Sequence, residues 1–242
     1  MRYSASNDRA GWPVEPQHFT MNPEDFRNFP LFSELDEQEL AAVARIARPR
    51  DYARGDVIIH AESSGDVFCL IEEGKVKITM ISPDGKEIIL STFGPGEFFG
   101  EMAILDDEPR SATVVAVDSV RVQTIFKEDF LSLLRDNFAI TKKILAELSV
   151  RLRTASHRIE SLATMDVYGR LARFFLDLAE KEGKEDGRGY LAIERPTHQA
   201  IANTIGTSRE TVSRLMHGLI ERKLLIEEGR TIYLQTSAIE EF

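Results

Sequence analysis

The chain has 242 residues, 43% hydrophobic and 29% charged, with a formal net charge of −10. That suits two modest domains, and no apolar run approaches the roughly 18 residues a membrane span needs, so no membrane partner is expected. One cysteine, Cys69, excludes an intramolecular disulfide and an all-cysteine metal cluster, and the scattered histidines show no ligand spacing, so neither a metal nor a cofactor is expected.

The first 25 residues hold no continuous apolar stretch of the kind a signal peptide needs, and their Ser, Asn, Pro and Gly content reads as a flexible arm. A cytoplasmic location is the simplest expectation. `PEDFRNFPLFSELDEQELAAVARIA` reads as short helices. From about residue 50 to 127 come β-branched, partly alternating runs: `DVIIHA`, `VFCLIEEGKVKITMIS`, `KEIILSTFG`, `SATVVAVD` and `VRVQTIF`. Glycines 55, 65, 74, 85 and 96 punctuate them, and `EEGK` and `SPDGKE` are hairpin turns. Short strands at this spacing predict a closed or double-sheet β structure, a barrel or jelly roll. Inside it, `GEFFGEMAILDDEPRSATV` ends an acidic stretch on a single arginine, Arg110. Arg110 is either half of an internal ion pair or the positive charge of an anion pocket.

The period then changes. Leu145, Leu148, Leu152, Ala155, Ile159 and Leu162 follow a 3-4-3-4-3 spacing, a narrow heptad seam flanked by charges. A parallel two-helix dimer interface and packing within the chain both produce that pattern, and the narrowness favours the dimer. Asp166 is a candidate N-cap for `VYGRLARFFLDLAEKEG`, and `GKEDGRG` reads as a polar loop.

The segment `PTHQAIANTIGTSRETVSRLMHGLIERKLL` predicts a helix-turn-helix. Thr197 and Ser208 can cap its two helices, Ala202 is small where they cross, Gly206 permits the tight turn, and Val212 and Leu215 pack the second helix back. A strand-like `YLAI` before it and a hairpin turning at Gly229 after it make a winged helix. Arg209, Glu210, Ser213 and Arg214 occupy the first turns of the second helix, the part that enters a major groove. From Arg195 to Lys223 there are five basic residues against two acidic ones, so charge reverses sign locally in an acidic chain. An ordinary helical hairpin carrying Arg209–Ser213 and Glu210–Arg214 neighbours is the plainer alternative.

With these motifs in this order, the sequence resembles the cyclic-AMP receptor protein/FNR (CRP/FNR) family of bacterial transcription regulators over residues 26–234. The resemblance implies an α+β chain: the flexible arm at 1–25, a β-roll (jelly roll) of the cyclic-nucleotide-binding type at 26–137, a dimerisation helix at 138–165, and a winged helix-turn-helix at 166–242. It implies a homodimer on double-stranded DNA carrying an inverted repeat, with RNA polymerase as a further partner, and no enzyme activity. Thr197, Ser208, Arg209, Glu210, Ser213 and Arg214 become the DNA-binding residues. Arg209, Glu210 and Arg214 fall on the base-reading positions, and Ser213 matches the FNR branch. That branch's iron–sulfur cysteines are absent.

`FGEMAIL…PRSATV` is similar to the phosphate-binding cassette of cyclic-nucleotide domains. The resemblance implies that Gly100, Glu101, Met102, Arg110, Ser111 and Ala112 hold a cyclic nucleotide, with Glu101 on the ribose hydroxyl and Arg110 and Ser111 on the phosphate. Cyclic AMP or another cyclic nucleotide is thus the candidate effector. Arg151 matches a helix arginine near the ligand phosphate, and Ser156 a base-reading serine, whereas Ala155 stands where the receptor protein has a threonine. Asp106, Asp107 and Glu108 are expected in a solvated loop. If the pocket is solvent-filled without ligand, removing Arg110 is expected to leave the fold nearly intact yet abolish nucleotide binding. Three other readings remain open at this point: a regulator with a vestigial pocket and no effector, a nucleotide-binding regulator that does not act on DNA, against which the helix-turn-helix speaks, and an enzyme using Glu101 and a loop carboxylate, for which no nucleophile or metal is at hand.

Overall fold

The computed structural model describes residues 21–186, 189–222 and 224–235; residues 1–20 of the arm expected over 1–25 and the basic Lys223 lie outside them, and the arm's last residues do not fit that expectation, since Asn22 caps a 3-10 helix that begins at Pro23. The chain divides into two compact units, one running through residue 80 and again over 90–148, the other holding 81–89 and the chain from 149 onward.

The first unit opens with two 3-10 helices, Pro23–Asn28 and Pro30–Phe32, then α1 at Glu37–Ile46. A capping box starts α1: the Glu39 backbone N–H donates to Asp36 at 2.8 Å, and the Asp36 N–H donates to Glu39 at 2.9 Å. The strands follow: β1 Arg48–Tyr52, β2 Val57–Ile59, β3 Val67–Glu73, β4 Val76–Ile81, β5 Glu87–Phe93, β6 Phe98–Phe99, β7 Thr113–Ala116 and β8 Val120–Phe126. A single-turn helix, α2, lies at Met102–Leu105 between β6 and β7, and α3 at Lys127–Asp136 follows β8. The strands form two four-stranded sheets ordered β1-β8-β3-β6 and β2-β7-β4-β5, the double-sheet roll expected. Between the sheets lie Ile58, Val67, Ile71, Val76, Val114, Val120 and Val122. A second core joins Phe26, Phe32, Leu40, Phe68 and Phe130 to Ile140 and Ile144 of the next helix, with Phe68 and Phe130 stacked at 4.2 Å.

That helix, α4, spans Phe138–Thr164. Asn137 caps it by accepting from the Ile140 N–H at 3.1 Å. Its first half packs on the second core through Ile140, Ile144 and Leu148, and the unit boundary falls just after Leu148. The expected domain start at 138 therefore falls at the head of a helix that both units share.

In the second unit, α5 (Val167–Glu182) is capped by Asp166, which accepts from the Gly169 N–H at 2.8 Å. β9 (Lys184–Glu185) and β10 (Tyr190–Glu194), helices α6 (His198–Ile205) and α7 (Arg209–Glu221), and strands β11 (Leu225–Glu228) and β12 (Thr231–Gln235) complete it. β9 lies where a polar loop was expected. The sheet order is β11-β12-β10-β9. Leu171, Phe175, Ile201, Ala202, Val212, Met216 and Ile232 form the core that clamps the two helices together.

Candidate nucleotide cassette and DNA-reading helix

Two residues of opposite charge are buried at the end of the roll: Glu101 is 2% exposed and Arg110 is 6%. Burial pushes the Arg110 guanidinium below its usual value, while Cys69, Asp66 and Glu101 oppose the shift, so the group stays cationic. Its Nη1 donates to the Gly100 carbonyl at 2.6 Å and its Nη2 to the Val67 carbonyl at 2.6 Å. The backbone of Arg110 is fixed as well, donating to the Ser63 carbonyl at 2.9 Å and accepting from the Glu62 N–H at 2.8 Å.

Gly100 makes this clasp possible. Its φ is +85°, and a Cβ there would lie 2.8 Å from Arg110 Nη1 and 2.9 Å from the Val67 carbonyl oxygen. Gly65, read in the sequence as a turn, serves instead as a point of close packing, since a Cβ on it would meet Ala103 of α2 at 2.5 Å. The loop carboxylates do not pair with Arg110. Asp107 pairs with Lys127, Asp106 accepts from the Glu108 N–H at 3.1 Å, and all three acidic loop residues are exposed. Of the remaining cassette residues, Met102 and Ser111 are exposed and Ala112 is buried. Beneath the clasp, burial pushes the Cys69 thiol up to about 12. The partners supplied by Val67, Glu62 and Ser63 carry no sequence signal, because main-chain atoms do the bonding.

On α4, Arg151 is half-buried and Ser156 is exposed, its hydroxyl donating to the Leu152 carbonyl at 3.0 Å. Leu145, Leu152, Ile159 and Leu162 are between 58% and 69% exposed, and Ala155 is exposed between them. Leu148 differs, being half-buried against the second core. Phe138, 78% exposed and seven residues before Leu145, extends the same series and was not singled out in the sequence.

The two capping residues of the helix-turn-helix act as expected. Thr197 accepts from the Ala200 N–H at 3.1 Å and Ser208 from the Thr211 N–H at 3.2 Å. Gly206 is left-handed, φ 68° and ψ 53°, and closes α6. Arg170 of α5 ties that turn down, donating to the Ile205 carbonyl at 3.0 Å. Ala202 and Val212 are fully buried at the crossing. Arg209, Glu210, Ser213 and Arg214 are all exposed along one end of α7. Among the described residues, neither arginine is hydrogen-bonded or ion-paired with Glu210 or Ser213, so the neighbour pairs of the plainer alternative do not form. Also among the described residues, no group of three or more His, Cys, Asp or Glu is placed to hold a metal, and no helix is long and apolar enough to cross a membrane.

Comparison with known proteins matches both halves. A family model described as a cyclic nucleotide-binding domain matches residues 49–137, and one described as a Crp-like helix-turn-helix domain matches residues 169–242. The chain is 34% identical over 212 residues to the cyclic AMP receptor protein of Thermus thermophilus, spanning 88% of this chain and 95% of that protein. It is 30% identical over 207 residues to a CRP-like cAMP-activated global transcriptional regulator of Mycobacterium tuberculosis, spanning 86% and 92%. Among solved structures it is similar to the c-di-GMP responsive global regulator CLP of Xanthomonas campestris, with a TM-score of 0.71, 25% identity, and coverage of 82% of this chain and 99% of that one.

Proposed function

This chain belongs to the CRP/FNR family of transcription regulators, and we propose that it acts as a homodimer that reads an inverted-repeat DNA site under the control of a cyclic nucleotide held in its roll. The observation that carries the nucleotide part is the buried Arg110 guanidinium, bonded to two main-chain carbonyls instead of to the acidic loop. A carbonyl spends no full charge, so the cation keeps its attraction for an anion. Its planar fork matches a phosphate better than a point charge does. Gly100 lets a ligand come against the main chain, the buried Glu101 is the acceptor for a ribose hydroxyl, and the exposed Ser111 adds a hydroxyl.

The base is a different matter. The relatives named above are described as responding to cyclic AMP in two cases and to c-di-GMP in the third. With Ala155 in place of a hydroxyl residue, one hydrogen bond to the base is missing, typically a net ~0.5–1.5 kcal/mol. Cyclic AMP should bind roughly threefold to tenfold more weakly than in a complete pocket. Ala155→Thr should restore affinity for cyclic AMP relative to cyclic GMP. Ser156, whose proton is held by the Leu152 carbonyl, keeps its oxygen as an acceptor.

The test is calorimetry of the full chain and of Ala155→Thr with cyclic AMP and cyclic GMP, alongside binding-site selection with and without nucleotide. Saturable heat and a nucleotide-dependent site support the reading. Ala155 favours a second reading, a family regulator with a vestigial pocket. That reading is the outcome if neither protein gives heat with either nucleotide while site selection still succeeds. RNA polymerase is the further partner we propose, engaged at the promoter by the DNA-bound dimer.

A further inference from the structure

The turn between β4 and β5, residues 82–86, belongs with the second unit, and the first residue of β5 makes a specific contact there. Asn203 Nδ2 on α6 donates to Glu87 Oε2 at 3.0 Å. One turn earlier on the same helix, Gln199 Nε2 donates to Asn203 Oδ1 at 2.7 Å. The orientation of both amides follows from a single group. A carboxylate only accepts, so Asn203 must turn its NH2 toward Glu87, its oxygen must face Gln199, and Gln199 must then aim its own NH2 at Asn203, committing one of its two N–H donors there.

Gln199 lies in the first turn of α6, the helix that crosses the DNA backbone in a helix-turn-helix. Side-chain amides at such positions donate to phosphate oxygens. In this structure an NH2 donor at that end of α6 is turned away along its own helix, and the chain of bonds terminates on a negative charge that itself repels a phosphate backbone. Glu87 also sits in the sheet that serves the nucleotide cassette: β4 pairs with β7 from Val76↔Ala116 to Thr79↔Thr113, and β7 begins three residues after Arg110.

We propose that Glu87, Asn203 and Gln199 form a latch that weakens DNA binding, with the β4–β5 hairpin holding the phosphate-facing donor of α6 until the hairpin lets go. The proposal rests on the DNA-reading function stated above and adds the device that restrains it. Glu87 has a further interaction of its own, so loss of Glu87 alone does not isolate the latch, and a double-mutant cycle is needed.

The experiment measures affinity for the duplex recovered by site selection, without nucleotide, using the full chain and the variants Glu87→Ala, Asn203→Ala and the double. Thermal midpoints check that each variant is folded. Glu87→Ala and Asn203→Ala should each tighten binding roughly threefold to tenfold, the range one net hydrogen bond allows. The double variant should bind no more tightly than the better single. Adding Gln199→Ala to Glu87→Ala should cancel the gain. A folded Glu87→Ala that binds the duplex no more tightly than the parent, or singles whose effects simply add, overturns the latch alone. If neither parent nor any variant binds a duplex, the DNA-reading function falls and the latch with it.

Discussion

Arg110 holds two main-chain carbonyls and, in the function proposed above, a ligand phosphate as well, and its removal should be felt in both. The guanidinium satisfies the half-buried carbonyl of Gly100 and the buried carbonyl of Val67. An Arg110→Ala variant therefore leaves two acceptors without their donor, at about 1–3 kcal/mol for a buried group left unpaired. A nearly intact fold was expected for a solvent-filled pocket, and the buried bond to Val67 does not meet that condition. Urea unfolding should show a clearly lower midpoint for Arg110→Ala, together with loss of nucleotide binding; an unchanged midpoint would mean the clasp holds nothing. Gly100→Ala should act in the same direction, because a positive φ and a Cβ 2.8 Å from Nη1 both resist it. Close by, Cys69 and Tyr52 make an alkaline limit. Burial raises the thiol from 9.0 to about 12, and raises the Tyr52 phenol from 10.0 to about 12. The folded roll holds these protons more tightly than the unfolded chain does. Its stability is thus fully present below pH 9 and is lost as pH rises toward about 12. A pH series of urea midpoints checks this, and Cys69→Ser should flatten its lower part. The native thiol should also resist alkylation at about pH 8 until the roll opens.

Among the elements, α4 carries the clearest unfilled requirement. Leu145, Leu152, Ile159 and Leu162, with Phe138 ahead of them, present a regular apolar edge that the chain itself leaves exposed. In the homodimer proposed above, a second α4 would cover it. Leu152→Asp or Ile159→Asp would place a charge in that dry seam at a cost of several kcal/mol. Sedimentation should then find monomers and much weaker operator binding. If both variants remain paired, the seam lies elsewhere. On α7, Arg209 is exposed, and if it reads a base edge as proposed, Arg209→Ala should cost about 1–3 kcal/mol and relax one operator position, read by repeating site selection on the variant. These elements were legible because their signals are local: a heptad, two caps, a glycine turn. β1 was not among the strands picked out, since `RPRDY` has a proline and three charges; it survives as an edge strand against β8, where Pro49 is tolerated. β6 is two phenylalanines held by pairing with Cys69 and Leu70, and β9 is two residues paired with β10, so only tertiary contact defines either. Leu148 fits the heptad yet packs against the second core, because one helix face must serve two surfaces. In the cassette, residue types were enough to single out the side chains, but Arg110's partners are main-chain oxygens that no residue type announces.

At the scale of the whole molecule, a net charge of −10 is set against a function on DNA. Attraction has to be local, concentrated where Arg209 and Arg214 are exposed, and the remainder of the protein repels a polyanion. Affinity for the selected duplex should therefore fall steeply with salt, and log K against log [salt] should lose roughly one unit of slope when a phosphate-contacting arginine is removed. With two recognition helices related by a twofold axis, half-sites should be centred about 10 bp apart. Inserting about five base pairs, half a helical turn, between them turns one half-site to the opposite face of the duplex, and gel-shift affinity should drop to that of a single half-site. The exposed edge of α4 has one more consequence, and it is genetic. A copy that keeps residues up to 165 but lacks the DNA-reading helices would still pair with intact copies. Each such pair has one working arm. Since both arms are needed to span an operator, a cell making equal amounts of the two forms would keep about a quarter of its pairs fully armed, by random pairing under twofold symmetry. The truncated allele would be dominant over the intact one, and Leu152→Asp placed in that same truncated copy would make it recessive.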